Sequence, residues 1–378
     1  MLDPVRQEVI AGAHTVVVKV GTNVLARSDG QLDPDRFAAL AAQIHRLHAA
    51  GRRVALVSSG AIGAGVGRLG LGKRPTDLRQ LQACAAVGQT FLMQAWEEVL
   101  VKHGIPTAQL LLTAADFDSR TRYLNIRNTI VTLFEWGCLP IINENDTVSV
   151  AEIRFGDNDH LAALVTNLLQ APLLVLLSVV DGLFTADPTV DPSAQPIRTV
   201  PIIDGAVLDR AASTRSALGS GGMPSKLRAA RLATVAGESV ILASGLRPDV
   251  LDAIFRCEPV GTLFLPHSNT LPAWKRWLGY TARPRGRLIV DAGARNAVQH
   301  QGRSLLPIGI VGVSGSFSKG DVVSICDPDG VEFARGLTNY PSGTVDRLRG
   351  VRTERIREVL GACPYEEVVH RDNLVVVR

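Results

Sequence analysis

Short apolar runs recur along the first two thirds of this chain, and they constrain its fold more than any other feature. TVVVKV (15–20), RVALVS (53–58), LPII (139–142), LLVLLS (173–178) and SVILAS (239–244) are rich in β-branched or aliphatic residues. Leu139–Ile142 and Leu173–Ser178 are near-continuous, as expected of strands buried on both faces. Helical stretches separate the runs. Asp33-Pro34 supplies an N-cap and a first-turn proline, and Gly51 supplies a stop. Further helices are expected over about 76–102, 120–136 and 225–236, with a strand near Thr107–Leu112. This alternation predicts an α/β fold, an αβα sandwich around a mostly parallel sheet.

The pattern changes near Trp274–Gly286. Beyond it the elements are short and β-rich: 287–290, 309–314, 322–325, 332–337 and 373–377, separated by turn signals such as Asp-Pro-Asp-Gly. That reads as a small β-barrel-like domain of about 90 residues. The expected division is a first domain over 1–274, a linker over 275–284, a second domain over 285–363 and a tail over 364–378 that packs on or completes it. A length of 378 residues suits two domains.

Composition excludes several classes. The longest apolar run, Ala171–Val180, falls far short of the roughly 20 residues that span a bilayer. The start MLDPVRQEVI lacks the apolar core of a signal peptide, so a cytoplasmic protein without a membrane partner is expected. Five dispersed cysteines contain no CxxC pair, which argues against a structural zinc or redox motif; no protein metal ligands are expected. The net charge of +4 is too small to argue for nucleic acid on its own. Two glycine motifs mislead. Gly65-Val-Gly67-Arg-Leu-Gly70 fits G-x-G-x-x-G, but it starts several residues after the strand and lacks the acidic residue about 20 positions on. Gly67 to Lys73 nearly matches a P-loop, yet Arg74 stands where Ser or Thr should hold magnesium. A flexible loop is the expectation there.

Only six of the 40 cationic residues are lysine, which draws attention to Lys19 and Lys226. Four segments fall where parallel strands should end, the place where such sheets bind ligands. Lys19-Val-Gly21 puts a lysine inside an apolar strand, costly unless it faces a polar site. A snorkelling lysine on an edge strand is the plainer alternative. Ser58-Ser59-Gly60 offers hydroxyls and amides at a helix start, as a simple N-cap also would. Asn143-Glu144-Asn145-Asp146 and Gly156-Asp157-Asn158-Asp159 flank VSVAEIRF, which alternates like a hairpin strand. These carboxylates and amides suit an ammonium ligand, or else a solvated loop with Asx-turns. Gly219–Lys226 (GSGGMPSK) opens a helix with small residues and a lysine, a phosphate-binding pattern, with a plain linker as the alternative. Two lysines flanked by glycine, with acidic and amide clusters, point to phosphoryl transfer, which needs positioning and charge neutralisation.

The motifs VVVKVGTNVL (16–25), VSSGAIGAG (57–65), LPIINENDTVSVAEIRFGDNDHLAAL (139–164), DGLFTADP (181–188) and GSGGMPSKLRAA (219–230) together resemble the amino acid kinase family, in its branch that phosphorylates the side-chain carboxylate of L-glutamate at the entry to proline synthesis. SLLPIGI (304–310) and FSKGDVVSI (317–325) resemble a PUA domain. The resemblance implies that Lys19 and Lys226 neutralise the transferring phosphoryl and that Asp159 orients both. It implies that Ser59, Asp146 and Asn158 hold glutamate. Lys19 and the loop Ser220, Gly221, Gly222, Met223, Pro224, Ser225 and Lys226 would line the ATP site, with Mg2+ carried on the phosphates. Ser178-Val179 occupies the position of the family's usual Ser/Thr-Asp nucleotide contact, and valine has no side-chain acceptor. Feedback inhibition by proline and a homo-oligomer are further implications. Because PUA domains elsewhere bind RNA, RNA is a second candidate partner, weakly supported by 14 Lys+Arg against 11 Asp+Glu from Arg283 onward. A kinase for another small carboxylate is the enzyme-class alternative.

Overall fold

The computed structural model describes residues 3–27, 30–149, 158–188, 190–205, 207–208, 222–267, 275 and 277–377. The chain divides into two compact units, Met1–Thr270 and Leu271–Arg378.

The first unit is built on an eight-stranded sheet. Its strands are β1 (Thr15–Val20), β2 (Arg53–Ser58), β3 (Thr107–Leu112), β4 (Leu139–Glu144), β5 (Leu173–Ser178), β8 (Thr199–Val200), β9 (Ser239–Ser244) and β10 (Thr262–Phe264). A separate hairpin pairs β6 (Leu183–Phe184) with β7 (Pro196–Ile197). The order across the sheet is β3-β4-β2-β1-β5-β9-β10-β8. All neighbours are parallel except β9 and β10, which run antiparallel. The expected αβα architecture is therefore present, with a reversed pair of strands at one edge. Every residue of β1, β4 and β5 is buried, which accounts for their mostly apolar sequences and leaves Lys19, Asn143 and Glu144 as buried polar side chains at their carboxyl ends.

The helices include those expected from about 33, 76, 120 and 225. They are α1 (Pro4–Gly12), α2 (Thr22–Leu25), α3 (Pro34–Ala49), α4 (Ala61–Arg68), α5 (Leu78–Leu100), α6 (Arg120–Glu135), α7 (Asn158–Leu169), α8 (Met223–Ala236) and α9 (Val250–Phe255). Asp33 caps α3 through the amide of Asp35, and Asp77 caps α5 through the amides of Arg79 and Gln80. The helix expected from 225 starts two residues earlier, with Pro224 in its first turn and Gly237 as its left-handed stop. Trp96 of α5 is fully buried against Phe37 of α3, ring centroids 4.6 Å apart, and donates its indole N–H to Ser58 Oγ at 2.9 Å. At the reversed edge, the buried guanidinium of Arg6 in α1 donates to the carbonyls of Arg198, Glu258, Val260 and Gly261. Burial holds its pKa below the ordinary value.

One expectation fails. Gly65 and Gly67 lie within the helix α4, with no flexible loop at those positions; only Gly70 and Gly72 sit in turns with positive φ. The glycines serve contact between helices. A Cβ on Gly65 would stand 1.9 Å from the carbonyl oxygen of Cys84, and one on Gly88 would stand 1.8 Å from that of Ala61. The backbones of α4 and α5 touch there, which only glycine permits. The expected hairpin strand VSVAEIRF lies almost wholly outside the described residues.

The second unit holds a five-stranded mixed sheet of order β12-β11-β13-β14-β15. Its strands are β11 (Gly286–Val290), β12 (Ile310–Gly315), β13 (Val322–Cys326), β14 (Glu332–Thr338) and β15 (Val369–Val376). Leu288, Val323, Ile325, Ala334 and Val369 are central to its own apolar core. Trp277–Thr281 forms a π-helical turn whose Gly279 abuts Val375 of β15. Among the described residues, no helix is long and apolar enough to cross a membrane.

The α4–α5 contact is testable. Gly88→Ala should cost about 1–3 kcal/mol through forced separation of the helices, read as a lower urea midpoint with an unchanged slope. An unaltered midpoint would mean the crossing is loose.

Candidate active site

The carboxyl ends of β1, β2, β4 and β5 point to one side of the sheet, and the polar segments gather there. Lys19 lies near the end of β1, a central strand flanked by β2 and β5, so the edge-strand alternative is removed. Gly21 follows and donates its amide to Leu177 O at 3.1 Å. A Cβ there would be 3.7 Å from Lys19 Nζ, so the small residue leaves room around the ammonium.

Three charges meet at this point. Lys19 Nζ stands 2.5 Å from Asp159 Oδ1, and Lys226 Nζ stands 3.1 Å from Asp159 Oδ2. Ser225 Oγ donates to Asp159 Oδ2 at 3.2 Å. Both lysines and the aspartate are buried. Lys19 comes from the sheet, Asp159 from the first turn of α7 and Lys226 from the first turn of α8. An acid near a helix N-terminus is favoured by the helix dipole. Burial pushes the Asp159 carboxyl up, but Lys19 and Lys226 outweigh it and hold the group below its ordinary pKa. The carboxylate therefore stabilises the fold at neutral pH, and this contribution fades as pH falls below about 4 towards the folded-state pKa.

A polar patch adjoins the charges. Asn158 Nδ2 donates to Ser59 Oγ at 2.9 Å and to Asn143 Oδ1 at 2.8 Å. Ser59 sits just past β2, its amide bonded to Val20 O, and Gly60 turns the chain into α4 with φ of +115°. Asp146 follows β4 and is buried, and its Oδ1 has no hydrogen-bond partner among the described residues. Burial raises its pKa to about 6, opposed by the charge of Arg74 in the turn before α5.

The remaining expected residues flank this centre. Gly222 is the N-cap of α8 and offers no side chain to its first amides; Met223, Pro224, Ser225 and Lys226 follow. Ser220 and Gly221 lie outside the described residues. Ser178 ends β5 nearly buried, while the Val179 side chain is 44% exposed. Sequence reasoning missed Gln89, which accepts from Asn143 Nδ2 at 2.8 Å, and the approach of Arg74 to Asp146. A glutamine on the buried face of α5, next to Gly88, was the available signal for the first.

Residues 14–244 match the amino acid kinase family, and residues 286–360 match the PUA domain. The glutamate 5-kinase of Geobacter sp. (strain M21) is 45% identical over 372 residues, covering 98% of this chain and 100% of that one. The glutamate 5-kinases of Moorella thermoacetica and Rhodopirellula baltica are 45% and 46% identical, each over at least 96% of both chains. The chain belongs to the glutamate 5-kinase family of amino acid kinases. A solved carbamate kinase from Giardia lamblia bound to AMP-PNP aligns with a TM-score of 0.49 at 19% identity, covering 68% of this chain and all of that one.

The shared carboxylate yields a stability prediction. Asp159→Asn removes the charge that both buried lysines face, and it should cost about 3–5 kcal/mol of unfolding free energy at pH 7. Urea titration measures this; a loss below about 1 kcal/mol would mean that the lysines are neutralised elsewhere.

Proposed function

We propose that this protein transfers the γ-phosphoryl group of ATP to the side-chain carboxylate of L-glutamate, giving L-glutamyl 5-phosphate, the first step of proline biosynthesis. The observation that carries the reading is the meeting of Lys19 and Lys226 on Asp159 beside the polar patch of Ser59, Asn158 and Asp146. We assign the chemistry to residues 1–274, ahead of the PUA domain.

The donor phosphates approach the amino end of α8, whose first-turn amides carry no side-chain cap and whose Lys226 adds a full charge. Gly222, Met223, Pro224 and Ser225 line that end, and Ser220 and Gly221, which precede them in sequence, are assigned to the same phosphate contact. Ser178 and Val179 border the nucleotide side, where Val179 contributes contact without an acceptor. Magnesium, when bound with ATP, neutralises phosphate charge. Asp159 is already engaged by two lysines and Ser225, so these residues fit an ion held mainly by phosphate and water oxygens.

Glutamate enters with its ammonium toward Asp146 and Asn158 Oδ1, two buried acceptors without partners among the described residues. A side-chain carboxylate oxygen attacks the γ-phosphorus. The new P–O bond forms as the bond to ADP breaks, and the electron pair leaves on the ADP oxygen. No general base is needed, since a carboxylate with pKa near 4.3 is already ionised at pH 7. Lys19 and Lys226 neutralise charge on the equatorial oxygens in the transition state, and Asp159 keeps both ammonium groups aimed at it.

A panel of glutamate, aspartate, N-acetylglutamate and carbamate, assayed for ADP release, tests the substrate; turnover with glutamate alone is expected. Lys226→Ala should lower kcat about 100-fold or more; a near-normal kcat removes it from the chemistry.

Asp146 gives a pH signature. The free protein should lose kcat/KM for glutamate as pH falls through about 6, because the protonated acid cannot pair with the ammonium. In kcat this limb should move to lower pH, since bound ammonium keeps the carboxylate ionised. Arg74→Gln should shift the kcat/KM limb upward, because Arg74 opposes the rise. An unchanged limb in that variant would show that Arg74 does not act on Asp146.

A further inference from the structure

Behind the substrate-facing patch runs a buried chain of amides whose polarity is set from one end. The backbone amide of Glu144 donates to Asn143 Oδ1 at 2.9 Å. A backbone N–H can only donate, so the oxygen of Asn143 must face it, and the Asn143 amide group cannot be turned over. Its nitrogen therefore points the other way, to Gln89 Oε1 at 2.8 Å. The same Asn143 oxygen accepts from Asn158 Nδ2, so Asn158 in turn must present its nitrogen inward and leave its oxygen free. Asn158 Nδ2 also reaches Ser59 Oγ, which accepts and so keeps its own proton available.

The chain thus delivers two fixed faces: a hydroxyl donor at Ser59 and a carbonyl acceptor at Asn158. An amino acid carries the complementary pair, a carboxylate and an ammonium. Gln89, nine-tenths buried, closes the far end by accepting the only hydrogen bond that the Asn143 nitrogen makes among the described residues. Its place is rigid, because the preceding residue, Gly88, touches the backbone of Ala61, two residues after Ser59. Both ends of the chain are tied to one helix crossing.

We propose that Gln89 is a positioning residue for the amino-acid substrate, anchoring the Asn143 nitrogen so that Ser59 and Asn158 are held in place with the polarity that the Glu144 amide sets. This rests on the reading that Ser59 and Asn158 hold glutamate. Without the Gln89 acceptor, the Asn143 nitrogen is left buried and unpaired. Asn143, its oxygen still held by the Glu144 amide, then tilts or admits water beside its nitrogen, and Asn158, which leans on that oxygen, is displaced.

The test is steady-state kinetics on the full chain. The wild type is measured first, and its failure to turn over glutamate would sink the substrate reading itself, apart from any role of Gln89. Gln89→Met, near in volume but without the acceptor, should raise KM for glutamate about 5- to 10-fold, the scale of one hydrogen bond to an otherwise orphaned group. KM for ATP should stay within about twofold. In an Asn143→Ala background the same substitution should add nothing, because the relay is already cut. Multiplicative effects in the double variant, equal rises in both KM values, or an unchanged KM for glutamate would each overturn the proposal. If Gln89→Met does not fold, Gln89→Asn, whose carbonyl falls one methylene short, should show the same selective rise. Failure of both to fold would assign Gln89 to stability and reject the positioning role.

Discussion

One carboxylate organises the first unit. Asp159 is fully buried, and such a group is tolerable only because two ammonium groups and a hydroxyl surround it. Its partners come from the sheet and from the first turn of α8, while Asp159 itself opens α7, so the ion triad joins three elements spread along the chain from Lys19 to Lys226. The lysines in turn could not be buried, Lys19 in an apolar strand and Lys226 at the start of α8, without it. The electrostatic requirement of the site and the packing requirement of the fold are thus met by the same atoms. A cluster that was only catalytic would tolerate more exposure; one that was only structural would be replaced by apolar residues at little cost.

Beside the charges, specificity is a matter of direction more than of charge. The amides of Gln89, Asn143 and Asn158 are neutral, and each could face either way in isolation. Only the backbone amide of Glu144 breaks the degeneracy, and the rest follow from it. This places the orientation of a binding group under the control of β4, a strand buried over its whole length. Asp146, one short turn beyond that strand, adds the single charge of the patch, tuned by burial against the influence of Arg74.

Much of this was legible in the residues. The apolar runs marked the parallel strands because a strand covered on both faces has no polar side to show. Lys19 stood out because a lysine in such a run needs a partner, and Lys226 because it follows a glycine-rich run at a helix start; Asp159 belonged to an acidic and amide cluster, and its tie to the lysines came from the family resemblance. What was hidden depended on helix contact. Gly65 and Gly67 read as loop because glycine is a poor helix former, yet both are helical, and at Gly65 close tertiary packing against Cys84 overrides propensity. Gln89 carried no motif, since its partner lies on another element more than fifty residues away. Arg74 was noted only as the residue that spoils a P-loop, although its charge bears on Asp146.

The guanidinium of Arg6 gathers four backbone carbonyls from residues 198–261. During synthesis it leaves the ribosome well before its acceptors, which emerge some 190 to 255 residues later. The reversed edge of the sheet therefore cannot close until nearly the whole first unit has been made. Until then α1 waits with a cation that has no place to be buried, and the adjoining strands wait with unpaired carbonyls. A long-range closure of this kind makes the last strands, and not the first, the step that commits the nascent chain to its native sheet.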